Sequence, residues 1–177
     1  MTTTAVIYHS GYGHTQRVAQ FVAEGAQAQL IAIDADGNIN EADWAALDAA
    51  NAIVFGAPTY MGMASWQFKK FADASSKRWY SSAWKDKVAG GFTISANLSG
   101  DKLSTLQYFM TLSMQHGMVW VGMPGMSDGT LNRLGSNSGL MAQVGSTHPA
   151  ADIPQGDLDT AKAYGERVLQ IAQRLGA

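Results

Sequence analysis

Cysteine is absent from this chain of 177 residues. That excludes disulfides, thiol nucleophiles and cysteine-ligated metal, so any redox chemistry must come from a bound cofactor. Charge is scarce as well. The 12 basic and 14 acidic residues leave a formal net charge of -2, with no basic excess of the kind that nucleic-acid binding requires. No run reaches the roughly 18 apolar residues of a membrane span, and Met1-Thr2-Thr3-Thr4 carries no basic region ahead of an apolar stretch. The expectation is a cytoplasmic protein that binds neither nucleic acid nor membrane. Among His9, His14, His116 and His148 no pair stands at i, i+4 on a helical pattern, and G-x-S-x-G does not occur, so neither a metal site nor a serine nucleophile is expected.

The most informative stretch that is present is the start. The apolar run Thr4-Ala5-Val6-Ile7-Tyr8-His9 stops at Ser10-Gly11-Tyr12-Gly13-His14-Thr15-Gln16 and gives way to a helical pattern in Val18, Ala19, Phe21, Val22, Gly25 and Ala26. A buried strand that enters a helix through a hydroxyl- and glycine-rich turn aims unpaired N–H groups and the positive end of a helix dipole at one spot. That spot suits a phosphate. The dinucleotide fingerprint needs a third glycine where Gln16 stands, and the triphosphate loop G-x-x-x-x-G-K-S/T has no match, so a monophosphate is the better fit. The plainer alternative is an ordinary turn with Ser or Thr as helix caps.

Strand and helix alternate along the rest. Strands are expected at Gln29–Asp34, Ala52–Gly56, Lys87–Ile94 and Met118–Val121, with helices near 41–49, 65–77, 102–115 and 158–175. Residues 122–147 carry no clear period. Five apolar strands with helical crossovers predict an α/β domain over residues 1–177: a doubly wound, three-layer fold with a five-stranded parallel sheet of order 2-1-3-4-5. Ligands of such sheets sit at the carboxyl ends of the strands, between the first and third. Three loops rich in Gly, Ser, Thr and Pro converge there, after strands one, three and four.

The combination S-x-Y-G-H-T, F-G-A-P-T-Y-M-G-M-x-S-x-Q-x-K-x-F-x-D and H-G-M-V, in that order, resembles the flavodoxin-like NAD(P)H:quinone oxidoreductases of the WrbA type, within the wider NADPH-dependent FMN reductase group. The resemblance implies FMN in the crevice, NAD(P)H as co-substrate, a quinone or similar small acceptor, and a homodimer or homotetramer. It places Ser10, Tyr12, Gly13, His14, Thr15 and Gln16 on the phosphate. Pro58, Thr59, Tyr60, Met61 and Gly62 would run along the isoalloxazine, and Ser95, Ala96, Asn97, Ser99 and Gly100 would meet its other polar edge. His116 and Tyr60 are the catalytic candidates. The chain departs from the family pattern at Tyr60, where arginine is common, and at Ala96-Asn97-Leu98, which are bulkier than the usual glycines.

His116 could instead cap a helix end. Trp79, Tyr80 and Trp84 suit either core or a subunit contact. Of the methionines, Met61 and Met63 are the pocket candidates and the rest read as core. Residues 132–139 read as a substrate lid or a surface excursion. An electron carrier of flavodoxin type is the competing function; its usual strong acidity is missing here, which favours the enzyme.

Overall fold

In a computed structural model that describes residues 2–176, the parallel sheet expected from the strand pattern is present with its switch point between the first and third strands. β1 (Thr4–His9) lies between β2 (Gln29–Ile33) and β3 (Ala52–Tyr60), and β5 (Val88–Ser95) follows β3. A short β4 (Met63–Ala64) pairs antiparallel with the end of β3. Beyond β5 the fifth position is shared by β6 (Val119–Trp120) and β7 (Leu140–Gln143), both parallel to β5. The order 2-1-3-4-5 is therefore kept, but the fifth strand is interrupted by residues 121–139. Four residues of continuous apolar sequence at Met118–Val121 had pointed to one strand; the pairing is completed by residues far along the aperiodic segment.

Both faces of the sheet are buried, and the pleat sorts the side chains between them. Val6 and Tyr8 of β1, Ala52 and Val54 of β3, and Phe92 and Ile94 of β5 face one layer, made by α1 (His14–Ala26) and α6 (Gln155–Arg174). Ala5, Ile7, Ile53, Phe55 and Ala89 face the other, made by α2 (Glu41–Ala49), α3 (Trp66–Ala74) and α5 (Lys102–Gln115). The helix expected over 65–77 breaks at Ser75, whose hydroxyl donates back to the Ala72 carbonyl at 2.6 Å, a local bond that competes with the helical ladder. A one-turn α4 (Ser76–Tyr80) follows. Trp84, beyond α4, is fully buried against Trp44, Phe55 and Phe71 and donates its Nε1–H to Asp48 at 2.8 Å. It belongs to the core and not to a subunit contact. Trp79 and Tyr80 are 52% and 88% exposed.

β3 runs on to Tyr60 and turns through Met61 (φ 47°) and Gly62 (φ 79°) into β4. Two left-handed residues in a two-residue hairpin are the I′ turn, which Gly62 adopts freely and Met61 only at a cost. The loop expected after the strand Ala52–Gly56 is thus mostly strand and hairpin.

α1 is fixed by α6. At their crossing, a Cβ on Gly25 would fall inside the van der Waals sphere of the Lys162 carbonyl oxygen, and one on Gly165 inside that of Val22. The two backbones touch, and Lys162 pairs with Glu24 at 2.5 Å on the outside. Because the N-terminus of α1 opens on the crevice, this contact sets where its first N–H groups point. Gly25→Ala and Gly165→Ala are each expected to destabilise the fold by about 1–3 kcal/mol through overpacking. A urea unfolding midpoint equal to that of the parent for both would contradict the crossing.

Candidate functional site

The strand ends of β1, β3 and β5 enclose a crevice of about 410 Å³, within the usual size range of small-ligand sites. It is walled by Tyr12, His14 and Thr15 on the first loop, Pro58, Thr59 and Tyr60 on the second, and Ser95 and Ala96 on the third. Ile94, Val144 and Ser146, which sequence reasoning did not single out, complete it. Ser146 and Val144 come from the aperiodic region, whose return to the sheet as β7 had no sequence signal beyond four residues.

The first loop is shaped by Ser10. Its Oγ accepts the N–H of Gly13 and of Gln16, each at 3.1 Å, and Gly13 (φ 86°) turns the chain into α1. Ser10, Gly13 and Gln16 therefore form the frame of the loop, while Thr15, buried, lines its inner wall. His14 donates its Nε2–H to the His148 carbonyl at 2.7 Å, tying this loop to the one that carries Ser146. No lysine or arginine lines the crevice. An anion there would be met by backbone N–H groups, hydroxyls, the helix dipole and the His14 ring.

The opposite wall is aromatic and hydroxylic. Tyr60 meets Tyr12 edge to face with ring centroids 6.4 Å apart, and Tyr12 is 80% exposed at the rim. Burial, with Tyr12 beside it, raises the Tyr60 pKa, so its phenol stays protonated. Beneath it the Thr59 hydroxyl is 2.8 Å from those of Thr93 and Thr105, a buried chain of three that locks the end of β3 to β5 and α5. Isolated threonines on three elements gave no sequence pattern for this. His9, buried below the first loop, bonds Ser65 through Nδ1 at 2.8 Å, and burial lowers its pKa.

Met61 and Gly62 form the exposed tip of the hairpin at the crevice edge. Asn97, Ser99 and Gly100 follow Ala96 on the third loop, outside the residues that wall the crevice; Ser99 borders a separate cavity of about 720 Å³ with Leu98, Asp101 and Arg133.

His116 is a correction. It caps the C-terminus of α5, three residues before β6 begins, and so lies at the amino ends of the strands, across the sheet from the crevice. The Ser75 hydroxyl spends its proton on Ala72, so His116 must donate Nε2–H to Ser75 at 2.9 Å. Its ring lies 4.5 Å from that of Trp84, and its Nδ1 has no hydrogen-bond partner. Burial lowers its pKa. The residue occupies the C-cap position, but its backbone N–H and not its ring bonds the helix carbonyls; its placement on the flavin came from motif order, which does not say at which end of the sheet a helix terminus falls.

Among the described residues no group of His, Asp and Glu could hold a metal ion, and no helix is long and apolar enough to cross a membrane.

A family profile described as a flavodoxin domain matches residues 5–118. The chain is 52% identical over 184 residues to Flavodoxin FldP of Pseudomonas aeruginosa, with each protein covered over 100% of its length. It is 55% identical to a flavodoxin, WrbA-like protein from Agrobacterium tumefaciens of known crystal structure, with a TM-score of 0.85 and coverage of 98% and 99%. A flavodoxin from the domain Archaea shares the fold at 17% identity and a TM-score of 0.65, over 97% of this chain and 99% of that one.

His9 and His116 are both lowered from a pKa near 6.5 by burial, so the unfolded chain takes up protons at a pH where the folded chain does not. Stability is full above about pH 7 and falls as pH drops below about 6.5, by up to about 1.4 kcal/mol per pH unit for each histidine. Urea titrations at pH 7.5, 6.5 and 5.5 measure this. A flat profile would show that neither ring is buried as described.

Proposed function

Since the chain belongs to the flavodoxin domain family, we propose that it is an FMN-dependent electron-transfer protein that receives and passes electrons through contacts with partner proteins. The observation that carries this reading is the end-to-end likeness, at 52% identity, to a protein named a flavodoxin. FMN when bound supplies the redox chemistry, and the protein binds, orients and shields it.

The crevice fits such a group. The N–H groups at the start of α1 and the Thr15 hydroxyl would hold the phosphate, with His14 securing the neighbouring loop. Pro58, Thr59 and Tyr60 on one wall and Ser95 and Ala96 on the other would flank the ring. Ile94 and Val144 make the floor apolar and keep water from it. The absence of lysine and arginine from the crevice wall, together with Tyr60 where the quinone reductases commonly carry arginine, leaves no guanidinium or ammonium there to pair with the phosphates of a nicotinamide nucleotide.

The NAD(P)H:quinone reductase expected from the motifs remains the second reading, favoured by the 55% likeness to a WrbA-like protein. In a homodimer or homotetramer the aromatic contact expected over this segment would be made by Trp79 and Tyr80, because Trp84 is core.

Thr15→Val is expected to weaken FMN by about 1.5–3 kcal/mol while leaving riboflavin nearly unchanged, since only the phosphate loses a partner. Equal losses, measured by quenching of flavin fluorescence, would place the phosphate elsewhere. In anaerobic mixing, dithionite should bleach the bound flavin and NADH or NADPH alone should leave it oxidised for minutes. Rapid bleaching by either nucleotide with recovery on adding a quinone would establish the enzyme instead.

A further inference from the structure

The third crevice loop is held from behind by side chains that take no part in the crevice wall. Lys102, at the start of α5, is fully buried. Its Nζ donates to the Asn97 carbonyl at 2.7 Å, the Leu98 carbonyl at 2.9 Å and the Ser95 hydroxyl at 2.9 Å. Gln143, the last residue of β7, donates Nε2–H to the Ala96 carbonyl at 2.7 Å. The Gln143 amide can point only one way, because its Oε1 accepts from Arg133 Nη2 at 3.3 Å. Arg133 in turn grips the buried Asp157 of α6 with two hydrogen bonds, at 2.6 and 2.9 Å, and Asp157 also accepts the Gln143 backbone N–H at 2.9 Å.

Three consecutive carbonyls, those of Ala96, Asn97 and Leu98, are thus turned into the protein. In a planar trans peptide the N–H points opposite to the C=O. The N–H groups of Asn97, Leu98 and Ser99 are therefore aimed away from Lys102 and Gln143. Successive N–H groups of this kind form a concave donor set for an electron-rich edge, and carbonyls bonded to an ammonium make their own N–H groups stronger donors.

We propose that Lys102 and Gln143, the latter oriented by Arg133 from the 121–139 excursion, are positioning residues that hold this loop with its N–H groups presented to the polar edge of the cofactor ring. The inference rests on the FMN reading above. It assigns the excursion a role that neither a lid nor a bare surface loop would have: it braces the ring side of the crevice from the outer edge of the sheet. Burial lowers the Lys102 pKa to about 8, with Asp157 of α6 opposing the shift and Arg133 adding to it. The clamp is therefore charged at neutral pH and begins to lose its proton within reach of ordinary buffers.

The test is titration of the full-length protein with FMN and, separately, riboflavin, for the parent, Gln143→Leu, Lys102→Met and Lys102→Arg. Loss of a ring-side support should weaken both flavins alike, by about tenfold or more in Gln143→Leu and Lys102→Met. This contrasts with the FMN-only loss at Thr15. Reduction gathers negative charge on the ring, so Lys102→Met should also lower the midpoint potential of bound FMN, and Lys102→Arg should keep it near the parent. Affinity in the parent should decline as pH rises through about 8, and the decline should be absent in Lys102→Arg. If Lys102→Met does not fold, Gln143→Leu and the two pH profiles still decide. A parent that binds both flavins, with unchanged affinities in Gln143→Leu and no pH dependence near 8, overturns this inference alone; a parent that binds neither overturns it together with the FMN reading.

Discussion

One hydroxyl stands where the sheet would otherwise come apart. Tyr164, on the inner face of α6, donates to the Val121 carbonyl at 2.6 Å and accepts the Gly91 N–H at 3.1 Å. Val121 still donates to Ala89 at 2.8 Å, so the Gly91 N–H and the Val121 carbonyl would be the next pair of a continuous ladder. At that point the chain leaves the sheet for residues 121–139, and the phenol takes the place of the missing strand. Two buried backbone groups left unsatisfied would each cost about 1–3 kcal/mol, and Tyr164 meets both. The same contact seats α6 on the sheet, α6 seats α1 through the glycine crossing, and α1 presents its N-terminus to the crevice. The geometry of the first loop therefore depends on a residue near the far end of the chain.

Neutrality is the second organising property. The crevice wall carries hydroxyls, backbone N–H groups, aromatic rings and the His14 imidazole but no lysine or arginine, while Arg133 and Lys102 are held behind it and occupied by protein acceptors. An anionic cofactor would accordingly be held through directional donors, whose strength depends on geometry more than on ionic strength.

Much of this was legible in the chain. The apolar runs of β1, β3 and β5 have both faces buried and read as unbroken hydrophobic segments, and the loops at their carboxyl ends stood out by composition, so Tyr12, Thr15, Thr59, Tyr60, Ser95 and Ala96 could be gathered in advance. The fifth strand was only half legible, because β6 is two residues long and β7 lies in a stretch whose order comes from scattered tertiary bonds such as Trp120 Nε1–H to Ser138 at 2.9 Å and Asn137 Nδ2–H to Met123 at 2.9 Å. His116 was misplaced because a motif fixes neighbours along the chain and not the end of the sheet on which a helix terminates. Lys102 was invisible for a different reason. A lysine in the first turn of a helix is ordinarily solvated, and nothing local signals that its stem is buried and its ammonium turned back onto three loop oxygens.

The interrupted fifth strand has one further consequence, which concerns neighbours in a concentrated solution. β6 and β7 lie on the outer side of β5, where a parallel sheet offers open N–H and C=O groups to any other chain with strand-forming sequence. A full-length edge strand would be a template for such pairing. Here the edge is cut into a two-residue and a four-residue piece, with a folded excursion rising between them, so an incoming strand finds no continuous register along which to add. The break that complicates the fold also guards this edge against pairing with another chain.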